Sequence, residues 1–273
     1  MEEITAEYEV QSLLPEAELR TRIKVSVAAK TDLGRVRENN EDKHEFFFPD
    51  TDSQLALKGG VFIVCDGMGG HEAGQIASEL ATKTFLDVYL NHPSVDTETA
   101  LRASVLAANR FVMDVARAVQ SRKGMGTTLS ALVLLQDTGY IAQVGDSRIY
   151  RLREGAIEQL TVDHTWVEDM VRGGVMSRET AETHPNRHML TRAIGAENGG
   201  DADIFTFSLR ERDVYMICSD GLTNHVGDDE LARILDENGP SEAAWKLVGA
   251  ALVGGGSDNT TCIVVRVDGL VSV

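Results

Sequence analysis

The sequence predicts an α+β domain in which mainly antiparallel sheets are covered by helices. Stretches rich in valine, isoleucine and aromatic residues, bounded by glycine, aspartate or asparagine, are typical of strands. They occur in runs of two or three, and the helical patterns are grouped together instead of alternating with them. A doubly wound parallel sheet needs alternation throughout, which fails at residues 127–152, where the predicted strands follow one another directly. A single β-sandwich with helical layers is therefore the predicted architecture.

Periodicity predicts each element in chain order. Strands are predicted at 23–30, 44–48, 60–65, 127–135, 140–144, 148–152, 214–218 and 260–267. Apolar residues at helical spacing predict long helices at 72–90 and 97–120, and shorter helices at 228–237 and 241–253. Asp228 and Ser241 are the expected N-caps of the two shorter helices. Trp166 and Trp245 are expected to be packing residues.

Length and charge limit the classes of protein to be considered. A length of 273 residues, without repeats or low-complexity linkers, predicts an acidic N-terminal extension at 1–22 and one domain at 23–273. The net charge of −17 disfavours binding of nucleic acid or of an anionic membrane. It would also repel a phosphorylated substrate, unless bound cations reverse the sign locally.

Targeting signals and cysteine usage indicate the compartment. No apolar run approaches the roughly 18 residues of a membrane span, and the acidic N-terminus lacks the layout of a signal peptide. Cys65, Cys218 and Cys262 each lie in a strand-like run, and an odd number of such cysteines favours reduced thiols. We therefore expect a soluble cytoplasmic protein.

The stretch "VFIVCDGMGGHEAG" at residues 61–74 is the first candidate for a functional site. An apolar strand ends on Asp66 and is followed by several glycines, which let the backbone approach another group closely. That group is either a phosphate held by backbone N–H groups or a cation held by Asp66 and a nearby carbonyl. A Walker-type phosphate loop needs a Gly-Lys-Ser/Thr ending, which the chain lacks.

Other acidic residues flank strands in the same way; they are Glu41, Asp42, Asp146, Asp220 and Asp258. The start of one antiparallel strand lies beside the end of its neighbour, so Asp258 is expected to meet Asp66 and Asp220 along one rim. Each aspartate alone is typical of a solvated turn, but the pattern of strand, acid and glycine occurs repeatedly. Carboxylates gathered with few basic neighbours favour divalent cations, and all-oxygen ligands favour Mg²⁺ or Mn²⁺.

The ordered series "RENNED", "DGMGGHEAG", "GMGTTL", "GDSRIY", "LTVDH", "SDGL" and "SDNTT" resembles the metal-dependent serine/threonine protein phosphatases, the PPM or type 2C family, in its bacterial form. The resemblance covers about residues 24–267. It implies a four-layer αββα sandwich of two antiparallel sheets flanked by helix pairs. It also implies hydrolysis of phosphoserine and phosphothreonine in proteins, with two Mn²⁺ or Mg²⁺ ions per active site.

The resemblance also assigns the metal ligands. Asp66 bridges two ions, and the carbonyl of Gly67 binds one of them. Asp220 and Asp258 complete the other site. Two such ions would lower the pKa of a shared water, which would then attack phosphorus in line with the departing serine or threonine oxygen.

Further roles follow from the same resemblance. Glu41 and Asp42 occupy the position of an acidic pair that ligates metal or holds metal-bound water. Asp146, together with Asp220, corresponds to a third and weaker metal site. Arg37 corresponds to the arginine that grips substrate phosphate, so Arg37 and Asp66 are the expected catalytic residues. Phosphoproteins, including a Ser/Thr kinase, are the expected partners of a monomeric enzyme.

Two regions depart from this pattern or extend it. Relatives from eukaryotes have a histidine, the proposed general acid, where Met68 stands, and methionine cannot donate a proton. His71 is an alternative donor or simply a histidine that opens the 72–90 helix. Residues 163–194 resemble a flap, in which Gly173 and Gly174 are candidates for a hinge. Arg187 or Arg192 would contact substrate there, unless they are surface or ion-paired residues.

Two other functions remain open from the sequence. One is a two-metal hydrolase of other phosphoesters. The other is a catalytically silent, phosphatase-like sensor or partner domain, which would be expected to lack metal ligands. The acidic positions described above are all occupied by acids.

Overall fold

The computed structural model describes residues 17–69 and 72–273. Most of the predicted N-terminal extension and His71 therefore lie outside the described residues. The first strand, β1, begins at Thr21, two residues before the predicted start. None of the helices in the described part of the chain is long and apolar enough to cross a membrane.

The first sheet has five antiparallel strands. Their order is β1 (Thr21–Asp32), β11 (Thr260–Ser272), β10 (Val214–Cys218), β7 (Arg148–Arg153) and β8 (Ala156–Gln159). These strands are far apart in the sequence, so the sheet is complete only when distant parts of the domain have come together.

The second sheet is also antiparallel. Its order is β2 (Asp42–Phe47), β3 (Gly60–Met68), β5 (Leu129–Leu135), β6 (Thr138–Val144) and β9 (Asp203–Ser208), with the short β4 (Gly126–Thr127) pairing beside β3. β3 pairs with both β2 and β5, and it carries Asp66 close to its end.

Helices cover both sheets. They are α1 (Asp52–Lys58), α2 (Ala73–Asn91), α3 (Thr97–Ala118), α4 (Trp166–Arg172), α5 (Arg178–Glu182), α6 (Asp220–Thr223), α7 (Asp228–Glu237) and α8 (Pro240–Val253), with a 3₁₀ turn at Gln120–Arg122. The pair α2 and α3 packs on the second sheet, and the pair α7 and α8 packs on the first.

Alternation along β3 shows how the four layers are held together. Val61, Ile63 and Cys65 pack against α2 and α3, whereas Phe62 and Val64 face the opposite way into the space between the sheets. All five side chains are fully buried. A strand covered on both faces reads as a continuous apolar run, which is the pattern of residues 61–65. The predicted αββα sandwich is confirmed.

Several details differ from the sequence expectations. The helix α7 is capped by Gly227, and α8 by Gly239 with Pro240 in its first turn, so Asp228 and Ser241 are not N-caps. Asp228 instead lies in the first turn of α7, where its charge favours the positive end of the helix dipole. The short elements α1, α4, α5, α6, β8 and β9 were not predicted. Trp245 is 64% exposed, so its expected packing role is wrong.

Candidate active site

Two of the acidic residues lie at one end of the first sheet. β10 and β11 run antiparallel with Cys218 opposite Cys262. Asp220 follows β10 and Asp258 precedes β11, so both lie at the same edge, as the antiparallel pairing predicts. Asp220 is also the first residue of α6.

Asp66 reaches this edge from the other sheet. It lies in β3, directly opposite Asp42 of β2, and β3 packs face to face against β10 and β11. The expectation that Asp66 lies on the same sheet edge as Asp258 is therefore wrong, because the two residues approach each other from different sheets across the sandwich. We call the region where the Asp66 end of β3 faces Asp220 and Asp258 the rim. Periodicity identifies strands but does not say to which sheet a strand belongs.

Asn259 joins the two sheets by hydrogen bonds. The side-chain oxygen of Asn259 accepts a bond from the backbone N–H of Glu41 at 2.8 Å, which ties the start of β2 to the start of β11. The Asn259 amide group donates to the carbonyls of Leu33 and Asn39 at 2.9 and 3.0 Å. Asn259 thereby fixes the loop that carries Arg37 and Glu41. The sequence analysis assigned no role to Asn259, although it lies in the "SDNTT" motif.

Asp42 is a buried carboxylate with unequal oxygens. Its Oδ2 accepts a hydrogen bond from Ser219 Oγ at 2.7 Å, whereas its Oδ1 is buried and has no hydrogen-bond partner among the residues that the structure describes. Burial raises the pKa of Asp42 to about 7; hydrogen bonds from Thr261 and Ser219 oppose the rise, and the charges of Asp220 and Asp258 add to it. An unpartnered carboxylate oxygen in the interior is costly unless a cation or a proton compensates it.

The neighbouring acids repel one another. Burial, followed by the charges of Asp42 and Asp220, raises the pKa of Asp66 well above its ordinary value. Burial and the charge of Asp220 do the same for Asp146. Burial alone would raise the pKa of Asp220, but hydrogen bonds from His188 and from other neighbours outweigh it and lower that pKa. The opposite directions of these pKa changes show that the acids are electrostatically coupled.

Two threonines position the backbone of Asp66. The Asp66 N–H donates to Thr128 Oγ1 at 2.8 Å, and Thr127 Oγ1 donates to the Asp66 carbonyl at 2.8 Å. Thr128 Oγ1 also shares a 2.7 Å hydrogen bond with Ser147 Oγ, the residue after Asp146. Both threonines lie in the predicted strand at 127–135 and were interpreted as ordinary strand residues, so this connection between the Asp66 and Asp146 loops was not predicted.

Gly67 is required by a close approach of backbone segments. A Cβ atom at this position would lie 2.1 Å from the carbonyl oxygen of Gly74 in α2 and 2.7 Å from that of Glu41. No other residue fits at this contact without moving the backbone. The sequence analysis attributed the glycines to crowding against a metal, but at Gly67 the crowding is against the first turn of α2 and the Glu41 loop.

Arg37 lies at the outer side of the rim. Its Nη2 atom is 2.7 Å from Asp258 Oδ2, and its side chain is about half exposed. Arg37, which the resemblance assigns to substrate phosphate, therefore contacts Asp258, which the resemblance assigns to a metal ion. The planar guanidinium keeps further N–H donors available for an oxyanion.

The flap segment approaches the same rim. His188 Nδ1 is 3.4 Å from Asp220 Oδ2, a contact that the sequence analysis did not identify. Arg192 is paired with Asp203 at 2.7 Å, so the ion-pair interpretation holds for this residue. Gly174 adopts a positive φ of 69° directly after α4. The hinge role of Gly173 and Gly174 stays a prediction.

Residues at the rim have the chemistry of a divalent-cation site, although their present geometry is open. Among residues 17–69 and 72–273, no three His, Cys, Asp or Glu side chains converge closely enough to hold one ion. The candidate ligands nevertheless offer only oxygen donors, neighbouring carboxylates raise the pKa values of Asp66 and Asp146, and Asp42 Oδ1 has no partner within the described ranges. Hard divalent cations such as Mg²⁺ and Mn²⁺ satisfy such a donor set.

Comparisons with known proteins agree with the fold. The family model described as Protein phosphatase 2C matches residues 35–244. The serine/threonine phosphatase Stp of Listeria monocytogenes is 38% identical over 244 residues, which cover 88% of this chain and 94% of that protein.

Solved structures show the same similarity. The S. agalactiae serine/threonine phosphatase superposes with a TM-score of 0.82 at 32% identity, over 89% of this chain and 100% of that one. The catalytic domain of the phosphatase PstP, solved with two manganese ions, gives a TM-score of 0.76 at 32% identity, over 89% and 98%. The motif series, the αββα architecture and these matches have one explanation: the chain belongs to the protein phosphatase 2C family.

Proposed function

We propose that the protein is a metal-dependent serine/threonine protein phosphatase that hydrolyses phosphoserine and phosphothreonine in other proteins. The observation that carries the proposal is the gathering of strand-end carboxylates from both sheets, with Arg37 beside them, at one rim. The names of the similar proteins and the family match support the same activity.

The proposed metal ligands are those of the sequence analysis. Asp66 and the carbonyl of Gly67 would hold one ion, and Asp66, Asp220 and Asp258 the other. Glu41 and Asp42 would ligate metal or hold its water, and Asp146 with Asp220 would form a third site. When bound, two Mn²⁺ or Mg²⁺ ions supply Lewis-acid activation of a water and neutralise the phosphate.

The chain's own side chains orient the substrate and maintain the charge balance. The guanidinium of Arg37 offers a planar fork of donors that matches two phosphate oxygens. Thr127 and Thr128 hold the backbone of Asp66 in place. Met68 has no proton to give, so the departing serine or threonine oxygen takes its proton from another group. The cysteines are poor nucleophiles, because burial raises the pKa values of Cys65 and Cys262 to about 12 and also raises that of Cys218.

Substrates and location follow from the same chemistry. Phosphorylated proteins, including a Ser/Thr kinase, are the proposed substrates, and the enzyme is proposed to act as a monomer. The three cysteines are free and buried, which suits a reducing cytoplasm. The net charge of −17 makes nucleic acid and anionic membranes poor partners.

The experiment compares substrates and metals. We expect p-nitrophenyl phosphate and a phosphothreonine peptide to be turned over with Mn²⁺ and not after chelation. Turnover of a phosphodiester in preference to both would favour the general phosphoester hydrolase. Absence of turnover with intact Mn²⁺ binding by calorimetry would favour the silent domain. Asp66→Asn should abolish turnover, with the exposed Asp236→Asn on α7 as the matched control; full activity of Asp66→Asn would refute the metal mechanism.

A further inference from the structure

Trp245 is an exposed tryptophan on a helix that otherwise packs well. α8 rests on the first sheet through buried alanine, leucine and valine side chains, among them Ala244, Leu247 and Val248. Trp245 points away from this core and is 64% exposed. The Nζ atom of Lys30 lies 4.2 Å from the centre of its ring. An exposed tryptophan in a defined position is the residue type most enriched at binding hot spots.

Other apolar side chains extend from Trp245 in one direction. On α8, Leu252 and Val253 follow after two turns, and Val253 is 82% exposed. Gly249 lies between Trp245 and Leu252, and a Cβ atom at Gly249 would have no atom of the described residues within 4 Å. We name the set Leu33, Val36, Trp245, Leu252 and Val253 the α8 stripe; Leu33 and Val36 are 39% and 67% exposed. Exposed apolar side chains grouped on two neighbouring segments are a candidate interaction site.

The α8 stripe continues into the candidate active site. Gly256, three residues after α8, would place a Cβ atom 3.1 Å from Leu252 and 3.2 Å from Arg35. The Arg35 N–H donates to the Gly256 carbonyl at 2.7 Å. Leu33 and Val36 lie on this same loop, and the next residue after Val36 is Arg37, which contacts Asp258. The stripe therefore runs from Trp245 to the residues proposed to hold phosphate.

We propose that the α8 stripe binds large apolar side chains of the phosphoprotein substrate that flank the phosphorylated residue. This inference rests on the proposed phosphatase function. A polypeptide whose phosphate is held at Arg37 must leave the site over neighbouring surface, and the stripe borders Arg37 directly. The α8 segment from Trp245 to Val253 is about 12 Å long, a distance that about four residues of extended peptide cover. Leucine or phenylalanine within about six residues of the phosphoresidue is the preferred substrate feature.

Steady-state kinetics on two phosphothreonine peptides test the proposal. One peptide carries leucine and phenylalanine in its flanks, and the other carries serine and glycine there. Trp245→Ala and Val253→Asp are compared with Phe111→Ala and Val95→Asp, which are 46% and 62% exposed outside the stripe. p-Nitrophenyl phosphate, which has no flanking peptide, reports on the catalytic centre alone.

We expect each stripe variant to raise KM for the apolar peptide about tenfold, the effect of losing one buried apolar contact. The polar peptide, p-nitrophenyl phosphate and both control variants should keep wild-type kinetics. Wild-type KM for the apolar peptide in both stripe variants would overturn the proposal. So would a concentration-dependent dimer that Trp245→Ala dissociates without a kinetic change, since a second copy would then cover the stripe. Lack of any Mn²⁺-dependent turnover by the wild type would instead overturn the phosphatase function, and with it the substrate assigned to the stripe.

Discussion

Arg37 Nη2 and Asp258 Oδ2 lie 2.7 Å apart, so the proposed phosphate-binding arginine and a proposed metal ligand are paired with each other. A cation held by Asp258 would compete with Arg37 for this carboxylate, which would leave the Arg37 guanidinium available to substrate phosphate. Metal loading and phosphate binding are therefore expected to favour one another at this rim.

Substitution of Arg37 tests its role directly. Arg37→Ala should lower kcat/KM for p-nitrophenyl phosphate by about 10- to 100-fold, because a charge-assisted contact contributes about 1.5–3 kcal/mol. Arg37→Lys should recover only part of the loss, since an ammonium group lacks the planar fork. Arg20→Ala, at an 81% exposed side chain, is the control. Equal activity of Arg37→Ala and wild type would contradict the assignment.

Asp42 makes the stability of the metal-free protein depend on pH. Burial raises the folded-state pKa of Asp42 to about 7 from an ordinary value of 3.8. The folded state therefore binds more protons than the unfolded state between these values, and stability falls as pH rises from about 4 to 7. The slope from this one group is at most about 1.4 kcal/mol per pH unit.

Denaturant unfolding in the presence of chelator measures this effect. Asp42→Asn should flatten the decline between pH 4 and 7, and added Mn²⁺ should raise the stability of the wild type most at the upper end of the window. Parallel pH profiles for Asp42→Asn and wild type would show that the carboxylate does not carry the dependence.

Thr128 connects two proposed metal-binding loops. Its hydroxyl accepts from the Asp66 N–H at 2.8 Å and is bonded to Ser147 at 2.7 Å. Thr128→Val keeps the shape but leaves both groups unpaired in the interior, at a cost of about 1–3 kcal/mol. Unfolding should show this loss, and kcat should fall while KM stays similar. Thr206→Val, at an exposed position of β9, should change neither quantity.

His164, near the start of the 163–194 segment, supports the turn that carries Asp146. It is buried, its Nδ1 accepts from the Gly145 N–H at 3.1 Å, and its Nε2 lies 3.2 Å from Asp203 Oδ2. Since Nδ1 accepts, the proton of the neutral ring resides on Nε2 and is donated to Asp203. His164→Ala should destabilise the fold by about 2 kcal/mol, because it leaves the buried Gly145 N–H without its acceptor and removes the donor to Asp203 Oδ2.

Calorimetry of Mn²⁺ binding then distinguishes a specific effect of His164 on the Asp146 site from a general loss of stability. His164→Ala should weaken the weakest Mn²⁺-binding step, which we assign to Asp146, more than the tighter steps. A uniform loss across all binding steps, or none, would contradict a specific link between His164 and Asp146.

Much of this protein is determined by local sequence. Alternating or continuous apolar runs identify the long strands, because side-chain direction in a strand has a period of two residues. The pairing of strand ends also brings Asp220 and Asp258 to one edge. Short elements such as β8 and α5 were not predictable, because four or five residues carry too little pattern to overcome their intrinsic preferences.

Only the tertiary structure decided which residues meet across the layers. Asp66 joins Asp220 and Asp258 from another sheet, and the exposure of Trp245 depends on how α8 lies on its sheet. The hydrophobic effect is non-directional. The apolar pattern of the sequence therefore predicts that the two sheets pack together, but it does not predict which of their edges lie side by side. The sequence by itself therefore identifies the carboxylates that can bind metal ions, while the packing of the two sheets against each other determines where these carboxylates meet.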